Sequence, residues 1–275
     1  MATSAPTSDA AARLAVALAA AKLAAAETLR WFGRPDLAVE DKADRSPVTA
    51  ADRAAEGILR RELLAAFPDD AFLGEETGAT PGTSGFEWVV DPIDGTKSFI
   101  RGVPLYATLV GCRRGAAGVL GVIAIPALDE WVYAAAGGGA WHVRGSSAPV
   151  PARVSARPRL DDALVCSSDF TSFAKWSGGR EAGEAARSRV EAACRIARTW
   201  GDGYGYLLVA TGRADAMIDP LMNRWDAAAV ETVVIEAGGR YTDWAGRPGI
   251  DAGDGLATNG LVHATAVALL GCRRT

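Results

Sequence analysis

Two aspartates and a glycine–threonine pair follow one apolar stretch of the chain. Asp91 and Asp94 stand three residues apart, directly after the apolar run Trp88–Val90, and the pair Gly95–Thr96 comes next. The apolar run predicts a buried strand, and we expect Pro92, which has no amide hydrogen, to end it. The Gly95–Thr96 pair is suited to opening a helix whose free amides face an anion. The segment therefore predicts cation ligands beside an anion-binding turn, as a metal-dependent phosphate site requires.

Further acids follow or precede apolar segments elsewhere in the chain. Phe72–Gly74 leads into Glu75 and Glu76, and Asp226 stands before the apolar helical run Ala227–Ala229. Each acid also has a plain structural interpretation, because Asp-Pro and Asp-Gly pairs form turns, Asp226 could cap its helix, and Glu76 could be solvated. Four converging carboxylates would repel by ~4 kcal/mol per pair at ~4 Å and an effective dielectric near ~20. Such a cluster would need protonation or bound cations.

Motifs in several parts of the chain together resemble the inositol monophosphatase superfamily, whose members are magnesium-dependent, lithium-sensitive phosphomonoesterases. These motifs are Gly74–Glu76, Asp91–Thr96 (DPIDGT), Trp225–Asp226 and Glu236–Gly239. The resemblance extends from about Lys42 to Asn259, and Asp91–Ile100 with Gly201–Tyr206 is most similar to the histidinol-phosphatase branch. It implies an α/β fold, a layered αβαβα sandwich with an α+β first half.

The resemblance also implies a set of metal ligands and up to three Mg²⁺ ions in one site. The implied ligands are Glu75, Asp91, Asp94, Asp226 and the backbone carbonyl of Ile93. Magnesium takes carboxylate and water oxygens, and a metal-bound water has its pKa lowered toward neutrality. The chain has only two histidines, which disfavours a zinc site rich in imidazole.

Hydrolysis further requires groups that hold the phosphate and move a proton. The amides of Gly95 and Thr96 would bind phosphate oxygens at a helix N-terminus. The resemblance assigns Thr96 and Glu75 to catalysis, with Asp52 accepting the proton of the Thr96 hydroxyl, which can orient a water. On its residues alone, Asp52 is better explained as an acid in the first turn of a helix, stabilised by about 0.3–1 kcal/mol through the helix dipole.

Substrate choice depends on residues that do not contact the phosphate. The resemblance aligns Asp219 with the position that contacts the leaving alcohol, where an acid would pair with a cation of L-histidinol phosphate. A strand-end turn before Pro220 is the alternative at this position. The pair Lys97–Ser98 favours L-histidinol phosphate as the substrate. The reaction would yield L-histidinol and phosphate, a step of histidine biosynthesis. Inositol-1-monophosphatase activity, or a broad activity on sugar or nucleotide phosphates, is the alternative. The polar residues whose roles stay unranked are Lys42, Lys97, Arg101, Asn223 and Arg224.

Other classes fit the sequence less well. Haloacid-dehalogenase phosphatases place two acids two residues apart in a DxDxT motif, whereas Asp91 and Asp94 are three apart. A histidinol phosphatase of the His-rich metal-barrel kind would need more histidines than His142 and His263. A non-catalytic relative is expected to have lost one of the carboxylates or Thr96, and all are present.

Composition sets the broad class of the protein. The chain has 275 residues, of which 49% are hydrophobic and 23% charged, with a net charge of −4. That length suits one large domain or two moderate ones, and no basic stripe for nucleic acid is present.

Without a run of about 18 apolar residues, we expect no membrane span and a cytoplasmic protein. The four scattered cysteines are typical of buried small hydrophobes. The resemblance implies a homodimer acting on a small phosphorylated substrate.

Periodicity predicts two halves, 1–150 and 151–275, divided in the proline-containing stretch Ala148–Arg159. In the first half we expect helices over Asp9–Phe32 and Ala50–Phe67, strands over Leu37–Lys42 and Ala71–Gly74, a mobile loop over Thr77–Gly85, and an antiparallel meander from Tyr106 to Val143. In the second half, strands and helices alternate from Ala163 to Asp243, which favours α/β layering.

Overall fold

The computed structural model describes residues 8–41 and 47–271 of the chain. Within these residues the chain forms seven α-helices. They are α1 (Ser8–Trp31), α2 (Ala50–Ala66), α3 (Thr96–Ile100), α4 (Arg180–Ala193), α5 (Gly203–Ala210), α6 (Arg224–Glu236) and α7 (His263–Leu270).

The strands of the described residues form three sheets. A two-stranded antiparallel ribbon joins β1 (Val39–Asp41) and β2 (Pro47–Thr49). A large sheet contains β3 (Ala71–Gly74), β4 (Gly78–Thr80), β5 (Phe86–Asp94), β6 (Ala107–Arg114), β7 (Ala117–Ile125), β8 (Glu130–Ala135), β9 (Ala140–Arg144) and β10 (Val150–Ala152). A smaller sheet contains β11 (Leu164–Cys166), β12 (Ile196–Arg198), β13 (Ala216–Asp219), β14 (Arg240–Thr242) and β15 (Gly255–Thr258).

Strand order places two acidic motifs at the same edge of the large sheet. The order is β10-β9-β8-β7-β6-β5-β3-β4, and the antiparallel run from β6 to β9 is the predicted meander. Strands β3 and β5 are parallel neighbours, with Gly74 opposite Val90. Their carboxyl ends therefore meet, and each leads directly into acids, Glu75 after β3 and Asp91 within β5.

Helices and sheets alternate in five layers. On one face of the large sheet, α1 and α2 pack through a buried cluster that contains Leu59 and Trp88. Helices α5 and α6 lie between the two sheets, where Val230 belongs to the same buried cluster as Leu109. On the outer face of the small sheet, α4 and α7 form a third cluster, which includes Val190. The predicted αβαβα sandwich is thereby confirmed.

Some segments differ from the sequence-based expectation. The stretch Thr77–Gly85 is not a free loop, because it contains β4 and the amides of Thr83 and Ser84 donate to the Asp69 carbonyl at 2.7 and 3.0 Å. Strand β15 and helix α7 lie beyond the last predicted strand. Strand β10 extends to Ala152 in the large sheet, so the chain crosses toward the second sheet just after the predicted boundary at 150. The division into two halves stays a prediction.

The cysteines and the helices agree with the expected packing. Cys112 and Cys166 are buried, and burial raises the pKa of each thiol to about 12. Cys194 is partly buried, and Cys272 lies outside the described residues. In the described part of the chain, none of the helices has both the length and the apolar composition needed to cross a bilayer.

Candidate active site

The DPID segment is a bulged end of β5 and not the turn expected from its proline. Strand β5 continues through Pro92 to Asp94, and its register against β6 shifts by one residue between Asp91 and Asp94. A bulge tolerates the missing amide hydrogen of proline, while the Pro92 carbonyl accepts a 2.8 Å hydrogen bond from the Thr108 hydroxyl. The Ile93 amide donates to the Asp91 carboxylate at 2.9 Å. The expectation that Pro92 ends the strand is wrong.

Asp226, in the first turn of α6, lies close to Asp91 and Asp94. Asn223 and Asp226 form a capping box, in which the Asn223 amide donates to Asp226 Oδ2 at 2.7 Å. Carboxylate oxygens of Asp91, Asp94 and Asp226 all lie within 4.8 Å of one another. Asp226 therefore joins Asp91 and Asp94, which are far away in sequence, in a group that could hold a metal ion.

Glycines in the large sheet let α6 approach closely enough to deliver Asp226. A Cβ atom at Gly121 would lie 2.2 Å from the Ala229 carbonyl oxygen, and one at Gly111 would lie 2.9 Å from Ala228. Both glycines lie opposite the small residues of α6, so the helix backbone rests directly on β6 and β7. Larger residues on either side would move the N-terminus of α6 away from the aspartates.

Glu75 is positioned by a buried glutamate of α2. The Glu56 side chain is fully buried and accepts the amides of Glu76 and Thr77 at 2.8 and 2.7 Å. A Cβ atom at Gly74 would lie 2.4 Å from the Glu56 carboxyl carbon, so the turn after β3 needs glycine there. Glu56 thus holds the backbone just after Glu75 and packs against Gly74 just before it.

The clustered carboxylates strongly favour a cation. Burial, followed by the charges of Glu75, Asp94 and Asp226, raises the pKa of Asp91 well above its ordinary value. Burial together with Asp202 and Asp226 does the same to the pKa of Asp94. Burial also raises the pKa of Asp226 to about 7, against the hydrogen bonds from Asn223. Hard divalent cations bound to these oxygens would replace the protons.

Thr96 lies at the start of α3, within reach of Asp52. Gly95 precedes the helix with φ of 83°, a left-handed conformation that favours glycine. The Thr96 hydroxyl contacts Asp52 Oδ1 at 3.5 Å and the Ile93 carbonyl at 3.2 Å. Asp52 Oδ2 meanwhile accepts the amide and hydroxyl of Thr49 at 2.7 and 2.6 Å in a capping box. Asp52 is therefore a helix-capping acid and a neighbour of Thr96 at once.

One cavity of about 190 Å³ brings most of the predicted site together. The predicted residues that line it are Glu75, Asp91, Ile93, Asp94, Gly95, Thr96 and Asp226. Asp52 reaches the cavity through its contact with Thr96. The acidic side chains and the α3 turn therefore line the same cavity, and their roles as cation ligands and anion-binding turn stay predictions.

Comparison with known proteins assigns this arrangement to a family. The model of the inositol monophosphatase family matches residues 9–272. The chain belongs to the inositol monophosphatase family. A protein of Chlorobaculum parvum named histidinol-phosphatase is 41% identical over 94% of this chain and 96% of its own length. One of Mycobacterium tuberculosis with the same name is 40% identical over 91% of this chain and 94% of its own. The predicted likeness to the histidinol-phosphatase branch is confirmed.

Solved structures of this family have the same fold. The extragenic suppressor protein suhB of Bartonella henselae superposes with a TM-score of 0.83 at 31% identity, covering 94% of this chain and 98% of that one. An IMPase of Thermotoga maritima superposes with a TM-score of 0.80 at 28% identity, covering 94% of this chain and 96% of its own.

In this member of the family, Asp219 is buried and is not among the residues that line the cavity. Its side chain is buried and accepts hydrogen bonds from the Ser168 amide at 2.8 Å and the Tyr206 hydroxyl at 2.9 Å. The Ser167 hydroxyl donates to the same carboxylate at 3.3 Å. Burial raises the pKa of Asp219 to about 6, and the hydrogen bonds from Ser168 and Tyr206 oppose the rise. The predicted contact of Asp219 with substrate stays a prediction.

A carboxylate that the sequence did not single out, Asp202, lines the cavity instead. It precedes α5, whose Gly203 amide donates to the Asp94 carboxylate. Burial raises the pKa of Asp202, while a hydrogen bond from Ser168 and the charge of Lys97 lower it. The resemblance of Gly201–Tyr206 to the histidinol-phosphatase branch was the available signal, but it did not distinguish Asp202 from its neighbours.

The unranked polar residues divide between the cavity and the surface. Lys97 and Asn223 line the cavity, next to Trp225. Arg224 instead pairs with Glu87 at 2.7 Å and with Asp251 at 3.0 Å. Arg101 is exposed, and Lys42 lies outside the described residues.

Proposed function

We propose that this chain is a Mg²⁺-dependent phosphomonoesterase that hydrolyses L-histidinol phosphate to L-histidinol and phosphate. The observation that carries the proposal is the convergence of Asp91, Asp94 and Asp226 within 4.8 Å, in a cavity that also holds Thr96. The names of the similar proteins of Chlorobaculum parvum and Mycobacterium tuberculosis support the choice of substrate.

The donor set fits hard divalent cations. We propose up to three Mg²⁺, held by the carboxylates of Glu75, Asp91, Asp94 and Asp226 and by the Ile93 carbonyl. When bound, they would neutralise the carboxylates and supply Lewis-acid activation of the attacking water and the leaving oxygen. The all-oxygen donors and the raised pKa values of the aspartates support this choice, because magnesium prefers carboxylate oxygens.

The remaining steps belong to residues of the chain. In the proposal, the amides of Gly95 and Thr96 hold the phosphate oxygens, and the Thr96 hydroxyl orients the water that attacks phosphorus. Asp52 Oδ1, 3.5 Å from that hydroxyl, accepts its proton. Oδ2 is held by Thr49, so the carboxylate keeps a fixed orientation toward Thr96.

Turnover of two phosphate esters tests the proposal. Phosphate release is measured for L-histidinol phosphate and inositol 1-phosphate, with Mg²⁺ and with a chelator. We expect Mg²⁺-dependent hydrolysis with kcat/KM at least about 10-fold higher for histidinol phosphate. Equal or reversed preference would favour inositol-1-monophosphatase or broad phosphatase activity. A relative of Rhizobium meliloti is named inositol-1-monophosphatase. Hydrolysis that survives chelation would contradict the metal-dependent mechanism.

Assembly and compartment form a separate part of the proposal. We propose a cytoplasmic homodimer, for which the family resemblance is the support. Light scattering coupled to size-exclusion chromatography measures the assembly, and a mass near one chain of 28.5 kDa would contradict the dimer.

A further inference from the structure

The two aspartates of the DPID segment line one cavity because β5 is bulged. In a regular strand, side chains alternate between the two faces, so residues three apart point in opposite directions. Asp91 is paired with Leu109 of β6. Asp94 is paired with Ala107, so three steps along β5 correspond to two steps along β6. The extra residue interrupts the alternation and lets both carboxylates reach the same cavity.

One residue of β6, Thr108, lies opposite the extra residue. It stands between the two paired positions of β6, so Pro92 and Ile93 together oppose it. Its side chain is fully buried, and its hydroxyl donates to the Pro92 carbonyl at 2.8 Å. Pro92 is buried as well, and a buried carbonyl that loses its donor is unfavourable. The hydroxyl therefore ties the bulge to the partner strand through a side chain.

Thr108 differs from the other groups that hold the bulge. The Ile93 amide donates to the Asp91 carboxylate at 2.9 Å, and the Ile93 carbonyl accepts the Thr96 hydroxyl at 3.2 Å. These three residues are themselves proposed to bind the metal ions or to orient the attacking water. Thr108 is not among the residues that line the cavity. Its hydroxyl can therefore be removed without removing a ligand or a reacting group.

We infer that Thr108 is a positioning residue for the proposed Mg²⁺ site. The inference rests on the proposed function and deepens it, because the Thr108 hydroxyl fixes the bulge that presents the carboxylates of Asp91 and Asp94 to the same ions. Without the hydroxyl, the buried Pro92 carbonyl turns toward another donor, which shifts the backbone between the two aspartates. The loss falls on metal affinity, since Mg²⁺ demands near-ideal ligand geometry.

Two pairs of variants, each differing by one hydroxyl, test this role. Thr108→Val keeps the size and branched shape of threonine without its hydroxyl, whereas Thr108→Ser keeps the hydroxyl. Calorimetric titration of Mg²⁺ into chelator-treated, buffer-exchanged protein measures affinity without turnover. We expect the dissociation constant of Thr108→Val to rise about 10-fold or more, and Thr108→Ser to retain wild-type affinity. Thr108→Ala should weaken binding relative to Thr108→Ser, and this second pair decides the question if Thr108→Val does not fold.

Thr258→Val is the matched control. Thr258 is also fully buried, and its hydroxyl contacts His263 Nδ1 at 3.0 Å in the small sheet. It is not among the residues that line the cavity. We expect Thr258→Val to lower the melting temperature and to leave Mg²⁺ affinity unchanged, so it reports the general effect of removing a buried hydroxyl.

Crystal structures of the variants distinguish failure of this inference from failure of the proposed function. If wild type binds no Mg²⁺, the proposed function fails, and the positions of the carboxylates then decide the role of Thr108. In variants without the hydroxyl, we expect that the oxygens of Asp91, Asp94 and Asp226 no longer all lie within the 4.8 Å of the wild-type arrangement. The inference is overturned if the folded variants without the hydroxyl keep wild-type affinity, or wild-type carboxylate positions where wild type binds no Mg²⁺. Equal weakening by Thr108→Ser and Thr108→Ala would also overturn it, because packing and not the hydroxyl would then be responsible.

Discussion

Two aspartates of this site are capping acids and functional candidates at once. Asp52 and Asp226 each occupy the third position of a helix and accept capping hydrogen bonds on Oδ2. These bonds fix the side-chain rotamer, and the Oδ1 atom of Asp52 faces Thr96. The structural and functional interpretations of such acids are therefore compatible, because capping provides the orientation that a ligand or a proton acceptor needs.

Asp226→Asn tests the metal site at the level of one residue. Asparagine keeps most of the size and much of the capping but removes a negative charge from the cluster. We expect Mg²⁺-dependent phosphate release to fall about 100-fold or more, with a higher Mg²⁺ requirement. Asp251→Asn, at an exposed acid paired with Arg224, serves as the control. An Asp226→Asn enzyme that needs no more Mg²⁺ than wild type would contradict the assignment.

At the scale of elements, the turn after β3 depends on α2. Glu56→Gln replaces a carboxylate that accepts two amides, at Glu76 and Thr77, with a group that offers one acceptor and one donor. Because these two amides directly follow Glu75, we expect the Mg²⁺ concentration for half-maximal activity to rise about 10-fold. Glu62→Gln, on a more exposed part of α2, is the matched control. If Glu56→Gln lowers only the melting temperature and leaves the Mg²⁺ titration unchanged, Glu56 is structural and does not position Glu75.

Glycine contacts make the fit of α6 testable. Gly121→Ala would place a methyl group against the Ala229 carbonyl, so we expect a loss of about 1–3 kcal/mol in unfolding free energy together with reduced activity. Gly57→Ala is the opposite case, because Gly57 is an exposed helical residue with no atom within 4 Å of an added Cβ. It should stabilise by about 0.5–1 kcal/mol. Denaturant unfolding of both variants measures the difference, and equal effects would contradict this packing.

At the scale of the molecule, the site combines segments that are far apart along the chain. Strand β5 and helix α3 come before the predicted boundary at residue 150, whereas α5 and α6 come after it and pack between the sheets. Neither segment of the chain alone contains the three carboxylates that converge. The shared middle layer is therefore required for the site as well as for the core.

The charge cluster makes the metal-free protein sensitive to pH. The pKa of Asp226 rises from 3.8 to about 7 on burial, and those of Asp91 and Asp94 rise as well. Groups with raised folded-state pKa values stabilise the fold below their unfolded pKa, and that contribution is lost as pH rises through the folded value. We expect the melting temperature with chelator to fall between about pH 5 and about pH 8 by about 5 °C or more, and Mg²⁺ to abolish this fall. Parallel curves with and without Mg²⁺ would contradict the prediction.

Many elements of the fold followed from local sequence signals, whereas the layered sandwich and the set of site residues were implied by the family resemblance. The meander, α1, α2 and the acids of the DPIDGT segment were predicted because periodicity and motif spacing are local properties. The predicted end of the strand at Pro92 was wrong, because a β-bulge is stabilised by a partner strand that local sequence does not identify.

The sequence alone determined the family and the order of the motifs along the chain. Only the tertiary structure showed that Asp202, and not Asp219, lines the cavity. Asp202 and Asp219 are both single aspartates near strand or helix ends, and nothing local distinguishes them. Their positions depend on the contact of Gly201 with Ser168 and on the packing of α5 against Asp94, which form only when distant segments assemble.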